Sequence, residues 1–169
     1  MQQLTTKAPL AVTALGRLFS AHSTLTRELS AQLVAEHGLT LSELEALLLL
    51  ERAEERAMRR VDLAREVRLS PSGITRLLDR LEASGFVEKG TCETDARVTY
   101  AILTDTGFAK LRECIPGHFE AIERRLSQSL DTDDLESLAE LLGRVAEPDD
   151  EACDQVAELS RPEKPARTG

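Results

Sequence analysis

No run in this chain approaches the roughly 18 consecutive apolar residues that a membrane-spanning helix requires, so no helical span is expected. The opening MQQLTTKAPLAVTALGRLF carries a single lysine and lacks a clear signal-peptide pattern. The expectation is a soluble, cytoplasmic protein with no membrane partner. Cysteine is scarce: Cys92, Cys114 and Cys153 show no metal-ligand spacing, and an odd count does not describe a secreted disulfide framework. His22, His37 and His118 are scattered, and none has an acid four residues along, so no metal site is expected. The chain also lacks a Ser/His/Asp arrangement, a P-loop, an HExxH motif and a dinucleotide fingerprint. No catalytic residue is nominated, no cofactor is expected, and an enzyme is the least favoured class.

What is present is a chain of 169 residues, normally one domain and long enough to bury a core. Its net charge of −9 opposes a simple polyanion binder. The charge is segregated, however. Residues 56–97 hold nine Lys/Arg against seven Asp/Glu, a net of +2, which leaves −11 for the remainder. Residues 131–158 alone hold eleven acids and one base, Arg144. With a Debye length of about 8 Å at physiological salt, local charge governs contact, and the acidic remainder implies only modest non-specific affinity.

Residues 60–104 carry the most information. Ile74, Leu77, Leu78 and Leu81 recur at spacings of three and four, the buried stripe of a helix. The opposite face presents Ser72, Thr75, Arg76 and Asp79, with Arg80 at its flank. Hydrogen-bonding side chains on a helix with an anchored back suit a DNA major groove. Ser70 is a good N-cap, and Pro71 fits the first helical position. Gly73 in the first turn costs on the order of 1 kcal/mol against alanine. It reads either as local tolerance or as bare backbone that lets a phosphate approach the helix N-terminus. Gly85 is expected as a left-handed C-cap. Residues 86–89 then read as a strand ending at Lys89, residues 98–103 as its partner, and residues 90–97 as the connecting loop. A helix-turn-helix followed by a hairpin is a winged helix. Asp95 and Arg97 lie two apart at the loop tip. There the arginine suits a narrow minor groove, and the aspartate can hold it by a bidentate pair.

These residues resemble the MarR (multiple antibiotic resistance regulator) family of winged-helix regulators. The matching features are LSPSGITRLLDRLEASGFVEK, then D-A-R, then the strand into Leu103-Thr104-Asp105-Thr106-Gly107. Ala96 stands where many members have an arginine, which removes one possible phosphate contact and leaves Arg97 as the groove reader. The strong match spans about residues 40–110. The resemblance implies a sequence-specific regulator of transcription, most often a repressor, that binds double-stranded DNA. The DNA-contacting set it implies is Ser70, Ser72, Gly73, Thr75, Arg76, Arg80, Lys89, Asp95 and Arg97. It also implies an effector cleft beside the dimer helices, for which the candidate residues here are Arg17, His22, Arg112 and His118. A cationic or titratable lining suits a small anionic or aromatic ligand. Peroxide-sensing relatives use a cysteine near the start of the N-terminal helix, and this chain has none there.

The rest reads as helix. Residues 9–37 form a long amphipathic stretch, with Val12, Leu15, Leu18, Phe19, His22, Leu25, Leu29 and Leu33 near one face. Ser42-Glu43-Leu44-Glu45 reads as a capping box opening a buried helix. Residues 58–61 can add a short edge strand, and residues 62–67 form the first helix of the helix-turn-helix. Thr104 or Asp105 caps a helix running toward Leu130, which Pro116-Gly117 should kink or break. Thr132 caps a final pattern of Leu135, Leu138, Leu142 and Val145. Residues 149–169 read as a polar tail, disordered by default.

The expected fold is mainly α with a small β-hairpin wing. Residues 38–103 form the winged helix-turn-helix domain, residues 1–37 and 104–147 an interlocking helical dimerisation region, and residues 148–169 the tail. The terminal helices carry more apolar surface than one small winged domain can cover, which implies an interface. In the family that interface is a two-fold homodimer. Such a dimer sets two recognition helices about 34–36 Å apart on a pseudo-palindrome. The alternative reading is a winged-helix module that docks another protein through its acidic helices.

Overall fold

The computed structural model describes residues 9–91 and 98–145. The chain divides into two compact units, Met1–Leu41 and Ser42–Gly169. The first is built on helix α1 (Leu10–His37), which follows Pro9 and ends at Gly38. Gly38 takes φ +70° and donates its N–H to the Val34 carbonyl, a left-handed stop that glycine adopts without steric penalty. Within α1 only Leu33 is buried; Leu10, Val12, Leu15, Leu18 and Phe19 are exposed.

Beyond α1 the chain runs α2 (Leu41–Arg52), whose first residue closes the first unit, then β1 (Ala57–Arg59), α3 (Arg60–Glu66), α4 (Pro71–Ala83), β2 (Val87–Thr91), β3 (Thr99–Leu103), α5 (Asp105–Ser127) and α6 (Thr132–Gly143) of the second. The edge strand expected near Met58 is present. The wing is therefore rooted in a three-stranded antiparallel sheet of order β1-β3-β2. Met58 sits opposite Ala101, and Val87 opposite Leu103. Leu44, Leu47 and Leu50 of α2, Leu63 of α3, Ile74, Leu77, Leu78 and Leu81 of α4, Val87 and Leu103 of the sheet, and Leu111 and Ile115 of α5 are all buried. This core fixes the back of α4.

Three local expectations need correction. Helix α2 begins at Leu41, so Ser42 lies inside it and no Ser42–Glu45 capping box forms. That register buries Glu43 and leaves Glu45 to reach Arg68 at 3.5 Å. Helix α5 passes through Pro116 unbroken. The proline removes one helical N–H, but Leu111, Cys114, Ile115 and His118 are buried on both sides of it and hold the helix in place. Asp131, not Thr132, caps α6: its carboxylate accepts from the Asp134 N–H at 2.9 Å while Asp134 reciprocates at 3.4 Å.

The turn into α5 gives the L-T-x-x-G sequence a structural meaning. Thr104 donates its hydroxyl to the Gly85 carbonyl at 2.7 Å and accepts the Gly107 N–H at 3.0 Å. Its own N–H meets the Phe86 carbonyl at 3.1 Å. Gly107 packs against that same carbonyl, where a Cβ would sit 2.1 Å from the oxygen. The end of α4 and the start of α5 are thereby tied through one residue pair. No helix among the described residues is long and apolar enough to cross a membrane.

Candidate nucleic-acid interface

Helix α4 is built from its cap forward. Ser70 adopts extended backbone angles, and its Oγ accepts the Gly73 N–H at 3.2 Å, with Pro71 at the first helical position. A Cβ on Gly73 would lie 3.3 Å from that Oγ and 3.5 Å from Leu69 Cβ. The glycine therefore also makes room for the cap, a reason that sequence pattern alone did not supply. At the far end Gly85 takes φ +72°, and the Phe86 N–H bonds the Leu81 carbonyl at 2.9 Å, which closes the helix with the left-handed stop expected.

With Ile74, Leu77, Leu78 and Leu81 buried, the other face of α4 carries Ser72, Thr75, Arg76, Asp79 and Arg80. Ser72 and Arg76 are exposed, and Thr75 is half-buried. Thr75 donates its hydroxyl to the Pro71 carbonyl at 2.8 Å, so its oxygen remains only an acceptor for an incoming group. Ser72 Oγ lies 3.2 Å from Ser70 Oγ.

Two of the nominated cations are already engaged. Arg80 Nε donates to Glu43 at 2.6 Å; the Glu43 side chain is 6% exposed and that of Arg80 58%. Lys89 on β2 meets Glu82 at 2.5 Å and Asp79 at 2.9 Å. Glu82, then Asp79, hold the Lys89 ammonium above the usual lysine range by hydrogen bonding. Arg56, Arg65 and Arg68 are likewise paired, with Asp105, with Asp62 and Glu66, and with Glu45. Arg59 donates to the Tyr100 hydroxyl at 3.4 Å. Among the described residues, this leaves Arg60 and Arg76 as the arginines of the helix-turn-helix without an ion-pair or hydrogen-bond partner. Asp95 and Arg97, like Cys92 and Cys153, lie outside the described residues.

The Glu43–Arg80 pair was not legible in sequence, since its partners are 37 positions apart. It ties α2 to the outer half of α4. Arg80→Met is expected to lower stability by about 1–3 kcal/mol, because it removes the cationic partner of a buried carboxylate. Glu43→Gln combined with Arg80→Met should recover part of that loss in a denaturant-melt double-mutant cycle. Strictly additive losses would show that the two side chains do not interact.

The effector candidates divide between the two units. Arg17 and His22 are exposed on α1. Arg112 is half-buried on α5, its guanidinium carbon 6.0 Å from the Phe108 ring centre, while His118 is buried. Arg112 and His118 are six positions apart, about 120° around the helix, which places them on different sides of α5. Cys114 is fully buried, and burial pushes its thiol up to about 11, consistent with a packing role.

Comparison with known proteins agrees with this architecture. Residues 37–98 match the sequence profile of the MarR family. The HTH-type transcriptional repressor YetL of Bacillus subtilis (strain 168) is 30% identical over 113 residues, 67% of this chain and 67% of its own length. The HTH-type transcriptional regulator MhqR of the same organism is 29% identical over 112 residues, 66% of this chain and 75% of its own. The crystal structure of Sco3205, a MarR family transcriptional regulator from Streptomyces coelicolor, in complex with DNA, superposes with a TM-score of 0.71. It is 28% identical and covers 87% of this chain and 90% of that one. The chain belongs to the MarR family: it is a winged helix-turn-helix, DNA-binding transcriptional regulator and not an enzyme.

Proposed function

We propose that this regulator is a sequence-specific repressor that binds a pseudo-palindromic operator as a homodimer, with α4 in the major groove and the wing in the minor groove. The observation that carries the reading is the outer face of α4. It presents an unpartnered, exposed Arg76 beside Ser72 and Thr75, on a helix whose opposite stripe is fully buried. Arginine with short hydroxyl side chains is a base-edge and phosphate reading set. Ser70, Ser72, Gly73 and Thr75 position the first turn, Arg76 reads a base, and Arg97 with Asp95 serves the wing tip. Arg80 and Lys89 contribute by holding α4 to α2 and to β2. The repressor YetL and the DNA complex of Sco3205 support the same reading. A small anionic or aromatic effector, with Arg17, His22, Arg112 and His118 as candidate residues, would relieve repression.

The dimer reading rests on unpartnered apolar faces in each unit. Leu10, Val12, Leu15, Leu18 and Phe19 of α1 are exposed, as are Leu138, Leu141 and Leu142 of α6 and Val145 just beyond it. Exposed apolar side chains in such contiguous rows mark interaction surfaces. Light scattering should return twice 18.6 kDa for the free protein, and Phe19→Glu should shift it toward 18.6 kDa with helicity retained. A wild-type monomer that still binds operator tightly would remove the two-fold part of the proposal.

A further inference from the structure

We propose that Arg60 is the seat of a DNA backbone phosphate, placed between the start of the recognition helix and the root of the wing. The inference rests on the DNA-binding reading of α4 and extends it to a residue outside the recognition helix and the wing loop. Two neighbouring hollows share Arg60 and Val61 in their walls. One, of about 150 Å³, is completed by Arg59, Val98 and Thr99; the other, of about 270 Å³, by Ala64, Arg65, Leu69, Pro71 and Ile74. The first therefore adjoins the wing root, and the second adjoins the first turn of α4.

The neighbouring cations have partners. Arg59 is held by the Tyr100 hydroxyl, and Arg65 by Asp62 at 3.3 Å and Glu66 at 3.5 Å. Arg60 has none among the described residues, so its charge is available to an anion. Thr99 supplies a hydroxyl in the same hollow, and Val61, 69% exposed, flanks both. Each hollow is smaller than the roughly 300–1,000 Å³ of a typical small-molecule site. A group-sized anion fits better than a whole ligand. When α4 enters a major groove, the strand bordering that groove passes the start of α4 and the wing root, and its phosphodiester oxygens are the anions brought there. Guanidinium is well matched to that acceptor.

The experiment uses the full-length protein. Wild type, Arg60→Ala, Arg60→Lys and Arg76→Ala are titrated with an operator duplex, its single-base variants and a random-sequence duplex across a KCl series. The expected result for Arg60→Ala is a salt slope shallower by about 0.9 per half-site, with the ratio of operator to variant affinities unchanged. Arg60→Lys should keep the wild-type slope, which a packing role for the arginine would not predict. A wild-type slope in Arg60→Ala, or an altered base preference, overturns the proposal. If wild type itself shows no preference among duplexes, the operator reading fails, while the slope measured on the random duplex still tests Arg60. A last arm measures the melting temperature without DNA in inorganic phosphate and in a nucleoside monophosphate. No saturable rise is expected. A rise at micromolar ligand that Arg60→Ala abolishes would make this a small-anion site and overturn the assignment to the DNA backbone.

Discussion

Gly107→Ala is expected to lower the melting temperature by about 10 °C, because the backbone leaves no room there for a side chain. The added Cβ would lie 2.1 Å from the Phe86 carbonyl oxygen, 2.9 Å from its carbonyl carbon and 2.7 Å from Leu103 Cδ1. Two of these three atoms are backbone, so no rotamer change relieves the clash. The Phe86 carbonyl cannot withdraw freely, because it accepts the Thr104 N–H, and Thr104 in turn caps α5 and bonds the Gly85 carbonyl. Overpacking a rigid site costs about 1–3 kcal/mol and occasionally more, and the loss of the cap adds about 1 kcal/mol. At roughly 2–4 °C per kcal/mol for a chain of this length, the sum gives the stated shift. Gly143→Ala is the control. That position on α6 has open space where a Cβ would go, so helix propensity alone acts, and stability should hold or rise slightly. Equal melting temperatures for Gly107→Ala and wild type would show that α5 does not dock on the α4–β2 turn as described.

The second large effect is on recognition. Arg76→Ala is expected to cost about 1–3 kcal/mol per half-site, hence about 2–6 kcal/mol for a symmetric operator, and to relax preference at one symmetric base pair. The size follows from the local charge pattern. Asp79, Arg80, Glu82 and Lys89 are mutually or otherwise neutralised, so among the described residues Arg76 is the uncommitted cation on the exposed face of α4. Its removal should leave the melting temperature nearly unchanged, because the side chain is exposed. Titration of operator variants by anisotropy separates this outcome from a uniform loss across all sequences, which would mean that Arg76 contacts phosphate and not base.

Much of this was legible from local signals. The three-and-four spacing of Ile74, Leu77, Leu78 and Leu81, the Ser70-Pro71 start and the Gly85 stop are chemistry within one helix, and each took the expected form. The edge strand expected at residues 58–61 is present but shifted: it spans Ala57–Arg59, and Arg60 and Val61 already belong to α3. What escaped was tertiary. Nothing local connects Glu43 to Arg80, Lys89 to Asp79 and Glu82, or Gly107 to the Phe86 carbonyl. Free charge is a property of the folded surface, so composition could not show that Arg80 and Lys89 are paired while Arg60 has no partner among the described residues. The Ser42 box failed because α2 starts at Leu41, two residues earlier than a Ser42 cap would set it, and that register buries Glu43 where it meets Arg80. Pro116 did not break α5 because buried contacts on both sides outweigh one missing N–H.

The most direct test of the central claim is selection of bound duplexes from a random library by the full-length protein, followed by sequencing. The account predicts enrichment of an inverted repeat whose half-site centres lie about one helical turn apart, roughly 10–10.5 base pairs. Arg76→Ala should lose preference at one symmetric position of that repeat. Recovery of unenriched sequence at a salt concentration where the protein still retains duplex would contradict it.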